Sequence, residues 1–231
     1  MIQAVIFDLD NTLLDFMTLK RASCESAIDA MIDAGLNVSK HTGLKVLFEL
    51  YDRYGIEHKE IFQKFLMNVM GKVDHKILAE GIVAYRRIKE GYLHPYPGVF
   101  STLIELKKRG IKTAILSDAP RMRAWTRLAS LRLSEFFDVV VTYEDVMKYK
   151  PNPKGFEIVL RKLKVRPQNT LMVGDWPQRD IKGANALGIR TAYARYGATR
   201  FSKTIKADYV LKHVKDILKV IDRESKRRNT S

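Results

Sequence analysis

Short apolar runs alternate with helical patterns along most of the chain, and this alternation limits the folds that are available to it. The apolar runs are typical of buried strands. They lie at residues 2–8, 111–117, 138–142, 169–174, 189–193 and 207–211, and helical patterns lie at residues 99–109, 121–132, 153–164, 179–187 and 213–224. Strands that are joined through helices pair in parallel, by right-handed crossovers. The sequence therefore predicts an α/β fold with a Rossmann-like core, in which helices cover both faces of a mostly parallel sheet.

The interval between the first two strands is far too long for a single crossover. Its apolar residues recur at helical spacing, as Leu44, Leu47 and Tyr51 do. The prolines of the segment His94–Gly98 end the helical patterns, because proline fixes its own φ and disfavours helix at the residue before it. We therefore predict that an all-helical subdomain is inserted into the α/β core. The predicted bounds are residues 15–97 for the helical subdomain, and residues 1–14 and 98–231 for the core.

Composition narrows the class of protein. The 231 residues are 46% hydrophobic and 29% charged, as in an ordinary globular domain. No apolar run approaches the roughly 20 residues that cross a bilayer, and the N-terminus lacks the basic residues of a signal peptide. We expect no membrane association and a cytoplasmic location. The single cysteine, Cys24, cannot form an internal disulfide, and its place in a helical apolar stripe favours a buried thiol over a nucleophile.

The formal net charge of +15 raises the question of a nucleic-acid partner. The excess is uneven, since residues 15–95 hold 12 Lys+Arg against 11 Asp+Glu, whereas residues 96–231 hold 29 against 13. No groove-reading module, zinc-ligand spacing or aromatic RNA-binding motif accompanies the charge. A solvated basic surface is therefore favoured over nucleic-acid binding, and the origin of the basic excess is left open.

Polar side chains follow the predicted strands at the carboxyl ends, where parallel sheets bind their ligands. They are Asp8 and Asp10 after the first strand, Ser117 and Asp118 after the second, Lys150 before the third core helix, and Asp175 and Asp180 after the fourth strand. Carboxylates at one edge of a sheet repel one another unless a cation lies among them. All-oxygen ligands suit Mg²⁺, and a lysine with a hydroxyl suits the oxygens of a phosphate group. The pattern therefore predicts a site for Mg²⁺ and a phosphate group.

Each of these residues also has an ordinary structural interpretation. Asp8 and Asp10 could be turn residues, and Lys150 could be exposed. Ser117 and Asp118 could cap a helix. Each alternative is plausible by itself, but together they are disfavoured. They would require four separate segments of the chain to carry, by coincidence, the residues of a single site.

The same residues resemble the motifs of the haloacid dehalogenase-like superfamily, mainly its phosphatases. The first motif of that family, DxDx(T/V), matches Asp8–Thr12. The second, a serine or threonine that ends a strand, matches Ser117, and the third, a lysine followed by proline, matches Lys150. The fourth, GDxxxxD, matches Gly174–Asp180, and the inserted helices resemble the small helical cap of the family. One departure is Asp118, at a position where an asparagine often follows the serine or threonine.

The resemblance implies a chemical role for each motif. Asp8 would be the nucleophile that forms an aspartyl-phosphate, and Asp10 would be the general acid and base. Ser117 and Lys150 would bind the phosphoryl oxygens during catalysis, and Asp118 would assist through its backbone N–H.

The resemblance also implies a metal cofactor and a class of substrate. Mg²⁺ would be bound by the Asp8 side chain, the Asp10 carbonyl oxygen and Asp175. Asp180 would be a further ligand or would orient Lys150 or a water molecule. The enzyme would be a Mg²⁺-dependent phosphatase of a small phosphorylated metabolite, with sugar and triose phosphates as the first candidates, and it would act as a monomer or homodimer.

Three rival functions are weighed against this one. Dehalogenases of the superfamily lack the equivalent of Asp10, because no leaving oxygen needs a proton, so Asp10 disfavours dehalogenation. A phosphomutase of the same superfamily shares every core motif and stays the main alternative. A basic nucleic-acid-binding protein with a decayed catalytic core is disfavoured, because the intact acidic cluster would repel a phosphate backbone.

Overall fold

The computed structural model describes residues 1–91, 93–199, 202 and 204–228. The chain forms two compact units, a core unit of Met1–Asp15 and His94–Ser231, and a helical unit of Phe16–Leu93. The segment at residues 94–97, which the sequence analysis assigns to the helical subdomain, belongs to the core unit. The reason is local pairing, since Pro95 bridges Leu14 and the Tyr96 N–H donates to the Leu13 carbonyl oxygen at 2.9 Å.

Within the described residues, six strands form one parallel sheet in the core unit. They are β1 (Ala4–Phe7), β2 (Lys112–Leu116), β3 (Val139–Val141), β4 (Thr170–Gly174), β5 (Arg190–Ala194) and β6 (Tyr209–Leu211), in the spatial order β3-β2-β1-β4-β5-β6. All six overlap the apolar runs of the sequence, and the predicted α/β fold with a parallel sheet is confirmed.

The first strand lies inside the sheet, between β2 and β4. Phe7, at its end, is opposite Ile115 on one side and Val173 on the other. All four residues of β1 are buried, which is typical of a strand that is covered on both faces. Successive strands are added to one side of β1 as β2 and β3, and to its other side as β4, β5 and β6. The strand order therefore reverses at β1, and open parallel sheets bind their ligands at the carboxyl ends of the strands at such a point.

Helices make up the helical unit. Over its described residues they are α1 (Phe16–Asp33), α2 (Lys40–Tyr54), α3 (Ile61–Met70) and α4 (His75–Gly91), and they share one apolar core. Cys24 is buried in that core, and burial raises the pKa of its thiol to about 11, so the predicted buried thiol is confirmed. The Lys20 ammonium is also buried. It donates to the Tyr85 hydroxyl at 2.9 Å and lies 4.0 Å from the centre of the Tyr51 ring.

Further helices flank the sheet of the core unit. They are α5 (Val99–Lys108), α6 (Arg121–Ser130), α7 (Tyr143–Val146), α8 (Pro153–Leu163), α9 (Lys182–Asn185) and α10 (Asp216–Arg228). In α8, Pro153 occupies the first turn, and the Asn152 side chain accepts the Lys154 N–H at 3.1 Å. Phe156 and Val159 belong to its buried stripe, which packs on the sheet.

One predicted helix has a different form. In place of a regular helix at residues 179–187, the chain makes a π-helical turn at Pro177–Ile181 and continues as the short α9. None of the helices in the described part of the chain has both the length and the apolar character that are needed to cross a membrane.

Candidate active site

Three of the predicted carboxylates lie together at the carboxyl edge of the sheet. Asp8 directly follows β1, Asp175 directly follows β4, and these two strands are neighbours. Asp180 lies in the π-helical turn that comes next. All three side chains are buried, and one oxygen atom from each lies within 4.8 Å of the others. We call Asp8, Asp175 and Asp180 the carboxylate cluster.

Gly174 allows Asp180 to reach this cluster. A Cβ atom on Gly174 would lie 2.4 Å from the Asp180 carboxyl group, so the position has no room for a side chain. The Asp180 Oδ2 atom accepts the Trp176 N–H at 3.0 Å, and the Asp180 N–H donates to the Trp176 carbonyl oxygen at 2.8 Å. These two hydrogen bonds fix the turn. Together with the lack of room for a side chain at Gly174, they explain why glycine and aspartate occur at this spacing in the fourth motif.

The Lys150 ammonium lies against the carboxylate cluster. Its residue is only 5% exposed, and Nζ donates to Asp8 Oδ1 at 2.6 Å, to Asp180 Oδ1 at 2.7 Å and to the Leu116 carbonyl oxygen at 3.0 Å. Burial by itself lowers the pKa of Lys150, but the charges of Asp180 and Asp8 outweigh burial. The pKa therefore lies above its usual value, and the side chain is cationic. The alternative that Lys150 is exposed is wrong.

The electrostatics of the carboxylate cluster suit a divalent cation. Burial and the charges of Asp8 and Asp180 raise the pKa of Asp175 to about 9. Burial, opposed by Lys150 and helped by Asp8, raises the pKa of Asp180 to about 7. With Lys150 beside them, the three buried carboxyl groups therefore do not all ionise at neutral pH, and a divalent cation would favour their ionised form. Oxygen ligands in this arrangement are those that Mg²⁺ prefers, so the residues fit the predicted cofactor.

Thr12 supports two members of the carboxylate cluster. Its hydroxyl lies 3.2 Å from Asp8 Oδ2 and 3.4 Å from Asp175 Oδ1, within hydrogen-bond distance of both. A loop that the sequence analysis did not identify braces Thr12 in turn, since the Tyr196 hydroxyl donates to the Thr12 carbonyl oxygen at 2.8 Å. The next residue, Gly197, comes so close that a Cβ atom there would lie 1.7 Å from a backbone oxygen of the turn after β1.

Asp10 is paired with an arginine that the sequence analysis also did not identify. Arg127 Nη1 donates to Asp10 Oδ2 at 2.8 Å. Asp10 lies in the turn that follows β1, and Arg127 lies on α6, where it is only 6% exposed. The signal that could have found this residue is its place in an apolar stripe, next to the buried Ala124 and Leu128.

Ser117 and Asp118 follow β2, the other neighbour of β1. The buried Ser117 hydroxyl accepts a backbone N–H two residues further on, at 3.1 Å. The Asp118 carboxylate accepts the Lys150 backbone N–H at 2.9 Å and pairs with Arg179 at 2.8 Å, so it ties three of the four motif loops together. Pro120 precedes the first residue of helix α6, and the Glu144 side chain accepts the Arg121 N–H at 2.7 Å, so the alternative that Ser117 and Asp118 cap this helix is wrong.

Known proteins share this fold and its motifs. Residues 5–194 match the haloacid dehalogenase-like hydrolase family. A glyceraldehyde 3-phosphate phosphatase of Pyrococcus furiosus is 34% identical, over 97% of this chain and 95% of its own length. The pyrophosphatase PpaX of Oceanobacillus iheyensis is 30% identical, over 95% of this chain and 97% of its own length. The crystal structure of a HAD phosphatase from Thermococcus onnurineus has a TM-score of 0.69 and 26% identity, over 95% of this chain and 98% of that chain.

The chain therefore belongs to the haloacid dehalogenase-like hydrolase family, and the predicted resemblance is confirmed. The two sequence relatives named here are phosphatases, and the chain is a phosphatase-type member of the family.

Proposed function

We propose that this phosphatase depends on Mg²⁺ and hydrolyses a small phosphorylated metabolite through an aspartyl-phosphate on Asp8. The observation that carries the proposal is the buried contact of Lys150 with both Asp8 and Asp180, beside Asp175. A carboxylate nucleophile, a cation for phosphoryl oxygens and the ligands for a divalent ion meet there at the carboxyl end of β1.

The first half-reaction transfers the phosphoryl group to the enzyme. A carboxylate oxygen of Asp8 attacks the phosphorus atom, and the bond from phosphorus to the substrate oxygen breaks. Asp10 gives its proton to that oxygen, which leaves as an alcohol. Lys150, Ser117 and the Asp118 N–H bind the other phosphoryl oxygens and offset the charge that spreads over them.

The second half-reaction releases phosphate. Asp10 takes a proton from a water molecule while the water oxygen attacks phosphorus, and the bond from phosphorus to the Asp8 oxygen breaks. The Asp8 carboxylate and the protonated Asp10 are thereby restored, so one acid/base group serves both steps. Mg²⁺, when held by Asp8, Asp175 and the Asp10 carbonyl oxygen with Asp180 beside them, supplies positive charge that offsets both the nucleophile and the phosphate group.

The substrate follows from chemistry and from the named relatives. Asp10 supports cleavage at phosphorus over cleavage of a carbon–halogen bond, because only an oxygen leaving group needs a proton. Glyceraldehyde 3-phosphate is the first candidate, since a relative at 34% identity is named for it, and inorganic pyrophosphate comes second after PpaX. A cytoplasmic location and a monomeric or homodimeric state belong to the same proposal.

A phosphate-release assay on the purified full chain tests the proposal. The panel contains p-nitrophenyl phosphate, glyceraldehyde 3-phosphate, other sugar phosphates and pyrophosphate, each with Mg²⁺ and with EDTA. We expect phosphate release in the presence of Mg²⁺ and none in the presence of EDTA. We also expect Asp8→Asn to lower kcat/KM by at least about 10⁴-fold, because the nucleophile is lost.

The matched control is Asp29→Asn, which changes an exposed carboxylate of the helical unit and should leave the activity unchanged. The proposal is wrong if no compound on the panel releases phosphate, or if Asp8→Asn turns over at the wild-type rate. An isomerised product that forms only with a bisphosphate activator would instead identify a phosphomutase.

A further inference from the structure

The Asp10–Arg127 ion pair has no part in either half-reaction as written above. The Arg127 side chain is 8% exposed and the Asp10 side chain is 23% exposed, and they meet at 2.8 Å. Burial of a guanidinium group is costly unless a partner compensates it, so this pair holds its geometry more firmly than an exposed one would.

Two buried cations, Lys150 and Arg127, contact different carboxylates of the site. Lys150 contacts Asp8 and Asp180, the residues proposed as the nucleophile and its neighbour. Arg127 contacts Asp10, the residue proposed as the acid and base. The nucleophile and the acid/base group therefore have separate cationic partners.

The helix that carries Arg127 is itself well anchored. Ala124 and Leu128, on either side of Arg127 along the buried face of α6, have no exposed surface. At the start of α6, the Ala124 N–H donates to the Pro120 carbonyl oxygen at 2.9 Å. The loop after β2 carries Ser117 and leads directly into α6, which carries Arg127. The Ser117 hydroxyl and the Arg127 guanidinium are therefore positioned by one continuous segment of the chain.

We propose that Arg127 is a positioning residue, which holds the Asp10 carboxylate in the orientation that serves the leaving oxygen and then the attacking water. This inference rests on the proposed function. A group that transfers a proton must come within about 2.6–3.2 Å of the reacting oxygen. A misplacement of about 1 Å can cost on the order of 10²-fold in rate. Arg127 restricts a short side chain that lies in a turn and is partly exposed.

A series of leaving groups tests this role. Proton transfer matters most for alkyl phosphates, which leave as strongly basic oxygens, and least for dinitrophenyl phosphate, whose leaving group needs no proton. We expect Arg127→Met to lower kcat for an alkyl phosphate by on the order of 10²-fold, while the single-turnover rate at which dinitrophenyl phosphate phosphorylates the enzyme changes by less than about threefold. Arg127→Lys, which keeps a cation at the same place, should restore most of the alkyl phosphate turnover.

A second readout follows the enzyme-bound intermediate. With dinitrophenyl phosphate, Asp8 accepts the phosphoryl group without an acid, but its release still needs Asp10 as the base. Mass spectrometry of acid-quenched Arg127→Met should therefore detect phosphorylated protein that the wild-type enzyme does not accumulate. Asp10→Asn should behave in the same way, and the double variant should lose little more than Asp10→Asn alone, because both changes act on one group.

The matched control is Arg121→Met, on the same helix as Arg127, which breaks a surface ion pair with Asp145 of α7 and should leave the leaving-group dependence unchanged. Circular dichroism and thermal melting show whether each variant is folded, and Arg127→Gln, which also removes the charge, replaces Arg127→Met if that variant is not folded. An equal loss in the rate of enzyme phosphorylation for every leaving group, or no loss in that rate for any of them, overturns the positioning role. A wild-type enzyme that hydrolyses none of the phosphates overturns the proposed function itself, which is a separate result.

Discussion

Over the part of the chain that the structure describes, each unit contains one lysine that is 5% exposed, and the two lysines contact different groups. Lys20, in the helical unit, donates to the Tyr85 hydroxyl and lies over the Tyr51 ring. Lys150, in the core unit, donates to the carboxylates of Asp8 and Asp180. A ring face and a hydroxyl stabilise a buried ammonium by modest amounts, whereas two buried carboxylates bind it strongly and are themselves costly to bury.

This difference supports the catalytic role that is proposed for Lys150. Burial alone does not distinguish them, since both residues are equally buried. What distinguishes Lys150 is the set of carboxyl groups around it. Asp175 lies next to Asp8 and Asp180, the partners of Lys150, and burial together with these charged neighbours raises the pKa of Asp175 to about 9. Buried carboxyl groups that do not all ionise without a further cation are typical of a site that binds a cation and a reacting group.

Among the changes that test the comparison of the two lysines, the largest effect is expected from Lys150→Met. Loss of the ammonium removes a donor to the phosphoryl oxygens and leaves Asp8 and Asp180 without their cation, so kcat/KM should fall by about 10³-fold. The free energy of unfolding should also fall, by about 3 kcal/mol, as for other buried pairs that lose one partner. Enzyme kinetics and urea denaturation measure the two effects. Lys154→Met, an exposed lysine in the next helix, is the control, and an equal loss in both variants would contradict the special role of Lys150.

A smaller effect is expected from Mg²⁺ on thermal stability. A ligand at 100 times its Kd stabilises the folded state by about 2.7 kcal/mol, and the ion should raise the melting temperature of the wild-type protein accordingly. Asp175→Asn removes one of the cluster oxygens and should lose most of that rise, whereas Lys20→Met should keep it. Thermal melting with and without EDTA gives the comparison. A full Mg²⁺ response in Asp175→Asn would mean that the ion binds elsewhere.

The smallest effect is expected from Lys20→Met. The substitution loses contacts that include the cation–π contact with Tyr51 and the hydrogen bond to Tyr85, but it also removes the cost of burying a charge, and methionine fills a similar volume. The free energy of unfolding should therefore change by about 1 kcal/mol or less, and kcat/KM should stay within about twofold of wild type. Urea denaturation and kinetics check both values. A large loss of activity with normal stability would assign Lys20 a part in substrate recognition.

Much of the site could be predicted because its residues stand at strand ends. Asp8 and Asp175 follow neighbouring parallel strands, and neighbouring parallel strands end at the same edge, so their meeting follows from the strand pattern. Asp180 was identified as a site residue within a predicted helix, but the π-helical turn around it was not. Its pattern over residues 179–187 has helical periodicity, and only the packing of Asp180 against Gly174 reveals the different turn.

The sequence by itself determined the parallel α/β fold, the strands that end at the site and the motif residues that follow them. These depend on local patterns, namely apolar runs, helical periodicity and polar residues at the strand ends. Only the tertiary structure decided which cation meets which carboxylate, as with Arg127 and Asp10, which are 117 residues apart in the chain. The reason is that such a contact depends on how a helix is rotated and packed against a loop, and many distant residues set that packing together.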